Sequence, residues 1–191
     1  LSDRSALADI AGEAAQPFGN PDILINAAGI NTRQPADKMT DDYWDLTQNL
    51  NVAAPFFLAK ALVPGMRSKG WGRIINFASL QSKRAFKNGI SYGTSKGAVE
   101  QMTRAMAEAW SPDGITANSI APGFFRTELT ESVFSDPELS ARNAAQTCIG
   151  RNGEIHDMEG PMIFFCSNAS NYITGQTLFV DGGYTAKWKL S

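Results

Sequence analysis

Short apolar runs alternate along this chain with longer segments whose apolar residues recur every three or four positions, and that alternation restricts the fold more than any other feature. Asp22-Ile-Leu-Ile-Asn26, Arg73 to Ala78, Ile115-Thr-Ala-Asn-Ser-Ile120 and Thr177-Leu-Phe-Val180 read as short buried strands. Ser5 to Phe18 carries Leu7, Ile10, Ala11, Ala14 and Ala15 at helical spacing and ends at Phe-Gly-Asn-Pro. Thr40 is placed to cap a long helix that reaches Ser68 and that Pro55 and Pro64 must bend or interrupt. A further helix is predicted from Ser91 to Trp110 and a last one near 160–167, with Pro122-Gly123 ending the third strand. Strands that alternate with helices pair in parallel, because each crossover helix returns the chain to the same edge. The fold class expected is therefore α/β, a three-layer doubly wound parallel sheet. Thr127 to about Asp157 reads as a polar, mobile region inserted before the last helix.

Bulk properties narrow the function classes. A chain of 191 residues with 43% hydrophobic content can build one compact domain. No repeat, low-complexity tract or interdomain linker divides it. Seventeen basic and nineteen acidic residues leave a net charge of −2 with no basic stripe, so neither nucleic acid nor an anionic membrane is an expected partner. No apolar run approaches the roughly 18 residues of a membrane span, and Leu-Ser-Asp-Arg-Ser is not a signal peptide. Cys148 and Cys166 stand apart and share no histidine partner, so neither a disulfide framework nor a zinc site is expected. Cys166 reads as a small buried hydrophobe and the single histidine, His156, as a solvated side chain. A reduced, cytoplasmic setting is the expectation.

The chemistry is carried by Tyr92-Gly-Thr-Ser-Lys96 and by Ser79, thirteen residues earlier. A tyrosine and a lysine at i and i+4 share one helix face, with Cβ atoms about 5–6 Å apart. An ammonium beside a phenol stabilises the phenolate, so the Tyr92 pKa is expected to fall from its ordinary value of about 10. Tyr92 would then be a general acid/base. Ser79 stands at the C-terminal end of a strand, the edge where open parallel sheets bind ligands. Each signal has a bland counterpart. Tyr-x-x-x-Lys alone is usually a surface pair, and Ser79 alone is a strand-end hydroxyl bonding backbone.

Taken in order, the motifs resemble the short-chain dehydrogenase/reductase family, with its Rossmann-type sheet. Asn26-Ala-Ala-Gly29 resembles the family's Asn-Asn-Ala-Gly signature, with Ala27 in place of the second asparagine. Trp44-Asp45, Asn51 and Phe56 resemble the helix with the catalytic asparagine. Ser79, Tyr92 and Lys96 match the catalytic serine, tyrosine and lysine. Asn118-x-x-x-Pro122-Gly123-x-Phe125-x-Thr127 resembles the segment that touches the nicotinamide, and Ile173-Thr-Gly-Gln-Thr-Leu-Phe-Val-Asp181-Gly-Gly183 resembles the C-terminal strand. Gly29-Ile-Asn-Thr-Arg33 and Asp181-Gly-Gly-Tyr184 lean towards gluconate 5-dehydrogenase-like or 3-ketoacyl-reductase-like members.

The resemblance implies an NAD- or NADP-dependent oxidoreductase that moves hydride between nicotinamide and a carbonyl or secondary alcohol of a sugar acid, polyol or small ketone. In this reading Tyr92 is the acid/base, Lys96 lowers its pKa, Ser79 orients the substrate oxygen, and Asn51 holds a proton-relay water. Asn26, Ala27, Gly29, Tyr92, Lys96, Pro122, Gly123, Phe125 and Thr127 would contact the cofactor, and no metal is needed. Asn26 could instead only pin its strand, Asn51 bridge a bent helix, and Thr127 cap the next helix. Phe124 to Ile149 would form a substrate lid, with Arg84, Phe86, Lys87 and Asn88 bordering the pocket and its basic residues suiting an acidic substrate. The resemblance also implies a homotetramer or homodimer through helices 40–68 and 91–110, with Phe56, Phe57, Leu58, Met102, Met106 and Trp110 serving the interface or the core.

The family's glycine-rich phosphate loop and opening strands have no match here, a difference of roughly 50–60 residues from a complete doubly wound domain. Residues 1–191 are thus expected to be one N-terminally incomplete domain, and alone to fold poorly or aggregate. The alternative function is a truncated, non-catalytic remnant acting in oligomerisation or regulation. An epimerase or dehydratase of the extended branch is a third reading, opposed by the early Asp-Gly-Gly ending.

Overall fold

A computed structural model describes residues 1–188. Four parallel strands, β1 (Ile23–Asn26), β2 (Gly72–Phe77), β3 (Ile115–Pro122) and β4 (Thr177–Val180), lie side by side in sequence order. Ile25 faces Ile75, Ile75 faces Asn118, and Ser119 faces Thr177 across the ladder. The two central strands are buried along almost their whole length, which is why they read as continuous apolar runs.

Side chains alternate between two helical layers. On one face Ile74, Ile115 and Ala117 pack with Ala11 of α1 (Leu7–Ala15), with Ala59, Leu62, Val63 and Met66 of α3 (Ala54–Lys69), and with Met106 and Ala107 of α4 (Ile90–Trp110). On the other, Ile75 and Ile120 meet Phe165 of α7 (Glu159–Cys166), with Met158, Met162 and Val180 around them. Each such large side chain contributes roughly 1.5–3 kcal/mol by leaving water. Helices on both faces of a parallel sheet give the three-layer architecture expected.

The long second helix is one rod of three parts. Thr40 caps α2 (Asp41–Gln48), accepting from the Tyr43 N–H at 3.4 Å. A π-turn over Asn49–Ala53 follows, and α3 then runs to Gly70, whose positive φ of 65° ends it in the left-handed conformation. Pro55 falls in the first turn of α3, where a missing N–H is tolerated, and Pro64 is carried inside the helix. The expected interruption is therefore a widened turn.

The stretch from Thr127 to Asp157, expected as a polar, mobile region, carries regular structure. It holds α5 (Glu131–Phe134) and α6 (Pro137–Ala145), flanked by single turns at Glu128–Thr130 and Ile155–Met158. Local capping explains the order: the Asp136 carboxylate accepts from the Glu138 and Leu139 N–H groups, both at 3.0 Å. Cys166 is half-buried against the second core cluster rather than fully enclosed, and His156 is exposed. Among the described residues β1 lies at the edge of the sheet, with Ile23 and Ile25 37% and 44% exposed. No helix among the described residues is long and apolar enough to cross a membrane.

Candidate active site

The C-terminal ends of β1, β2 and β3 open onto a cavity of about 660 Å³. Ser79, Tyr92 and Lys96 line it, together with Ala27, Gly29, Pro122, Gly123, Phe125 and Thr127. Residues spread over a hundred positions thus meet in one place, because parallel pairing brings successive strand ends to the same edge. Asn26 and Asn51 are absent from that wall.

Ser79 follows β2 and caps the single turn Leu80–Ser82, its Oγ accepting from the Gln81 N–H at 3.2 Å. Ser82 ties this turn to α4. Its hydroxyl accepts from the Ser79 N–H at 3.3 Å and donates to the Lys96 carbonyl at 2.8 Å. Tyr92 and Lys96 are both buried on one face of α4, and the Tyr92 hydroxyl is hydrogen-bonded with Ser79. The Lys96 ammonium lies 5.6 Å from the Tyr92 ring centroid and donates to the Phe77 carbonyl at 2.6 Å.

The electrostatics reverse one expectation. Tyr92 is held above the ordinary tyrosine value, because burial penalises the phenolate more than Ser79 and the Arg33 guanidinium favour it. Burial also brings Lys96 down to about 8. Lys96 therefore does not supply the expected lowering of the Tyr92 pKa. It is itself desolvated, and its hydrogen bond goes to a backbone carbonyl.

Asn51 sits in the π-turn, 1% exposed. Its Oδ1 accepts from the Ile30 N–H at 2.9 Å, while Nδ2 donates to the Ile30 carbonyl at 2.9 Å and to Ser95 Oγ at 3.0 Å. Ser95 Oγ in turn donates to the Tyr92 carbonyl at 2.7 Å. Asn51 thereby joins the loop after β1 to the helix of the tyrosine. Asn26 turns inward and donates to Asn76 Oδ1 at 2.9 Å, the strand-pinning arrangement. Thr127 forms a capping box with Thr130 while lining the cavity.

Of the lid residues, Phe124, Phe125 and Leu129 reach the cavity, whereas Val133 is buried elsewhere. Phe86 lines it as well. Arg84 and Asn88 line an adjoining cavity, and Lys87 lines neither. Arg84 instead sits over the Tyr184 ring and donates to the Thr185 carbonyl. Arg33 is a second basic residue on the wall of the main cavity besides Lys96, and it has no salt bridge among the described residues. It stands within the Gly29-Ile-Asn-Thr-Arg33 segment, but a loop residue has no periodicity to mark where it points.

Two observations bear on a nicotinamide dinucleotide. The Lys96 ammonium has one acceptor among the described residues, which leaves two N–H donors for hydroxyl groups. A Cβ at Gly29 would lie 3.2 Å from Asn51 Oδ1 and 3.6 Å from Lys96 Nζ, so glycine keeps the approach to that ammonium clear. A ribose diol fits both.

A family model described as enoyl-(acyl carrier protein) reductase matches residues 1–185. Gluconate 5-dehydrogenase of Gluconobacter oxydans (strain 621H) is 37% identical over 185 residues, 97% of this chain and 72% of that protein. 2-Dehydro-3-deoxy-D-gluconate 5-dehydrogenase of Dickeya dadantii (strain 3937) is 38% identical over 191 residues, 98% and 74% of the two. The crystal structure of a gluconate 5-dehydrogenase from Burkholderia cenocepacia J2315, in complex with NADP and tartrate, superposes with a TM-score of 0.93 at 37% identity. It covers 98% of this chain and 73% of that one.

Proposed function

The chain belongs to the short-chain dehydrogenase/reductase family, and we propose that it is an NAD- or NADP-dependent oxidoreductase acting on the secondary alcohol or ketone of a sugar acid. The observation that carries this reading is the meeting of Ser79, Tyr92 and Lys96 with a free guanidinium, Arg33, on one cavity wall. The relatives' chemistry supports it, and an intact set of three reactive side chains speaks against a non-catalytic remnant.

Lys96, Gly29, Ala27, Pro122, Gly123, Phe125 and Thr127 would hold the dinucleotide, which when bound gives or takes the hydride. Tyr92 holds the proton that a ketone oxygen must gain in reduction and removes it from the alcohol in oxidation. Ser79 fixes that oxygen beside the phenol and stabilises charge developing on it. The Gln81 N–H engages one of its two lone pairs, which leaves its own proton free to donate. Asn51 holds the Ile30 backbone, and through it the loop that carries Arg33. Arg33 is suited to pair with the substrate carboxylate.

A phenol held protonated keeps the acid loaded at neutral pH, so reduction proceeds there and oxidation accelerates as pH rises. The test is turnover of gluconate and of a neutral polyol with NADP and NAD. Tyr92→Phe should lose at least about a thousandfold in kcat. Arg33→Leu should raise KM for gluconate roughly tenfold or more while sparing the neutral polyol. A Tyr92→Phe protein with wild-type turnover would remove Tyr92 from the chemistry, and equal effects of Arg33→Leu on both substrates would remove the carboxylate contact.

A further inference from the structure

We propose that Gln81 reads a hydroxyl group of the substrate next to the reacting carbon and so sets a preference for polyhydroxylated substrates over simple alcohols and ketones. The inference deepens the sugar-acid reading and rests on it.

Gln81 lies two residues beyond Ser79, and its backbone N–H is bonded to Ser79 Oγ, so its Cα is fixed relative to the reacting oxygen. Gln81 lines the cavity that holds Ser79 and Tyr92. It also lines the adjoining cavity of about 550 Å³, in company with Gln34, Arg84 and Asn88. Gln81 thus borders both cavities.

Its oxygen is buried and has no hydrogen-bond partner among the described residues, and its nitrogen donates to none of them. A buried polar group without a partner destabilises a fold and asks for a reason. The first turn of α4 is cut to admit this one. A Cβ at Gly89 would lie 2.3 Å from Gln81 Oε1, and one at Gly93 3.6 Å from it. Those two glycines leave room for a carboxamide that nothing in the chain bonds.

A carboxamide presents a donor and an acceptor side by side, and its terminal torsion is broad enough to exchange them. A hydroxyl also donates and accepts, so it satisfies the pair. A ketone or carboxylate oxygen only accepts. The group Gln81 suits is therefore a hydroxyl adjacent to the carbon that Ser79 and Tyr92 address, a feature of polyols that simple alcohols lack.

The experiment compares wild type with Gln81→Leu and Gln81→Glu on gluconate, xylitol and cyclohexanol with NADP, alongside calorimetric binding of gluconate and xylitol. Gln81→Leu is expected to lose about 10–100-fold in kcat/KM for the two polyhydroxylated substrates, chiefly through KM. Its loss on cyclohexanol should stay below about threefold, and its melting temperature should hold or rise, since an unpartnered polar group has gone. Gln81→Glu, which retains the acceptor and lacks the donor, should fall between. A Leu variant with the wild-type ratio of xylitol to cyclohexanol activity, or with equal loss on both, overturns the inference. If wild type processes xylitol but neither binds nor processes gluconate, the sugar-acid reading fails, and the xylitol ratio still decides the role of Gln81. If polyols bind without turnover, the calorimetric affinities of wild type and Gln81→Leu decide it.

Discussion

Lys96 is a charge held in an unfavourable place, and that has a measurable consequence. Burial brings its ammonium down to about 8 from an ordinary value near 10.5. Between those two pH values the unfolded chain binds more protons than the folded one, so stability rises with pH across that window. Below about pH 8 the folded state carries the full penalty, on the order of 3 kcal/mol. Lys96→Met keeps the stem and removes the charge. At pH 7 it should melt several degrees above wild type, at roughly 2–4 °C per kcal/mol after the lost bond to Phe77 is subtracted. That gap should close as pH approaches 10. Above pH 10 Tyr92 acts the other way: its folded pKa is raised, so the unfolded phenol ionises first and stability falls. Thermal melts at pH 7, 9, 10 and 11 follow both effects, and a variant melting below wild type at pH 7 would mean that the ammonium stabilises the fold. Ser79, Tyr92 and Lys96 are legible in the sequence through the ordered set of motifs that resembles the family's, since i, i+4 spacing and a strand end alone also fit a surface pair and a backbone-bonding hydroxyl. The direction of the Tyr92 shift was not, because desolvation depends on how deeply the tertiary structure encloses the ring. Gln81 was equally hidden, since its significance lies in a missing partner.

At the scale of elements, the π-turn between α2 and α3 decides how the loop after β1 meets α4. It directs Asn51 inward, where one carboxamide serves both backbone groups of Ile30 and the Ser95 hydroxyl. Asn51→Ala would leave the Ile30 N–H and carbonyl unpaired at a cost of roughly 2–4 kcal/mol, a fall in melting temperature of about 5–10 °C. Activity should drop with it, because the segment carrying Gly29 and Arg33 is released. Calorimetric melting checks the first effect, and a change within about 2 °C would show that another contact holds Ile30. The sequence disclosed the rod and its proline positions, because 3.6-residue periodicity persists for turns on either side. A single widened turn leaves no periodic trace. The helices between Thr127 and Asp157 leave little trace in the sequence for a related reason: α5 and α6 are only four and nine residues long, and caps such as Asp136 define them more than an apolar stripe does.

At the scale of the whole molecule, the apolar residues expected at an interface divide between two roles. Met106 is buried in the first core cluster, with Leu58, Met102 and Trp110 packed against it. Phe56 is 37% exposed, stacked on Trp110 with ring centroids 6.5 Å apart, and Tyr43, Trp44 and Leu46 of α2 are exposed at 43%, 36% and 40%. We propose that α2, α3 and α4 pair with a second copy across a two-fold axis, giving a homodimer or homotetramer. A competing association would run through β1, which stands at the sheet edge among the described residues, with Ile23 and Ile25 partly exposed. The two faces are separable by mutation. Light scattering after gel filtration should give wild type two or four times the mass of one chain, and Phe56→Glu should lower that number by burying a charge in the helical interface. Ile25→Lys should leave the helical oligomer intact and suppress only concentration-dependent aggregation, because lysine on an edge strand blocks further pairing. A closed oligomer that dissociates with Ile25→Lys and survives Phe56→Glu would place the interface at the sheet edge instead. The active-site cavity opens at the strand ends rather than on either face, so turnover per chain should survive whichever substitution separates the copies.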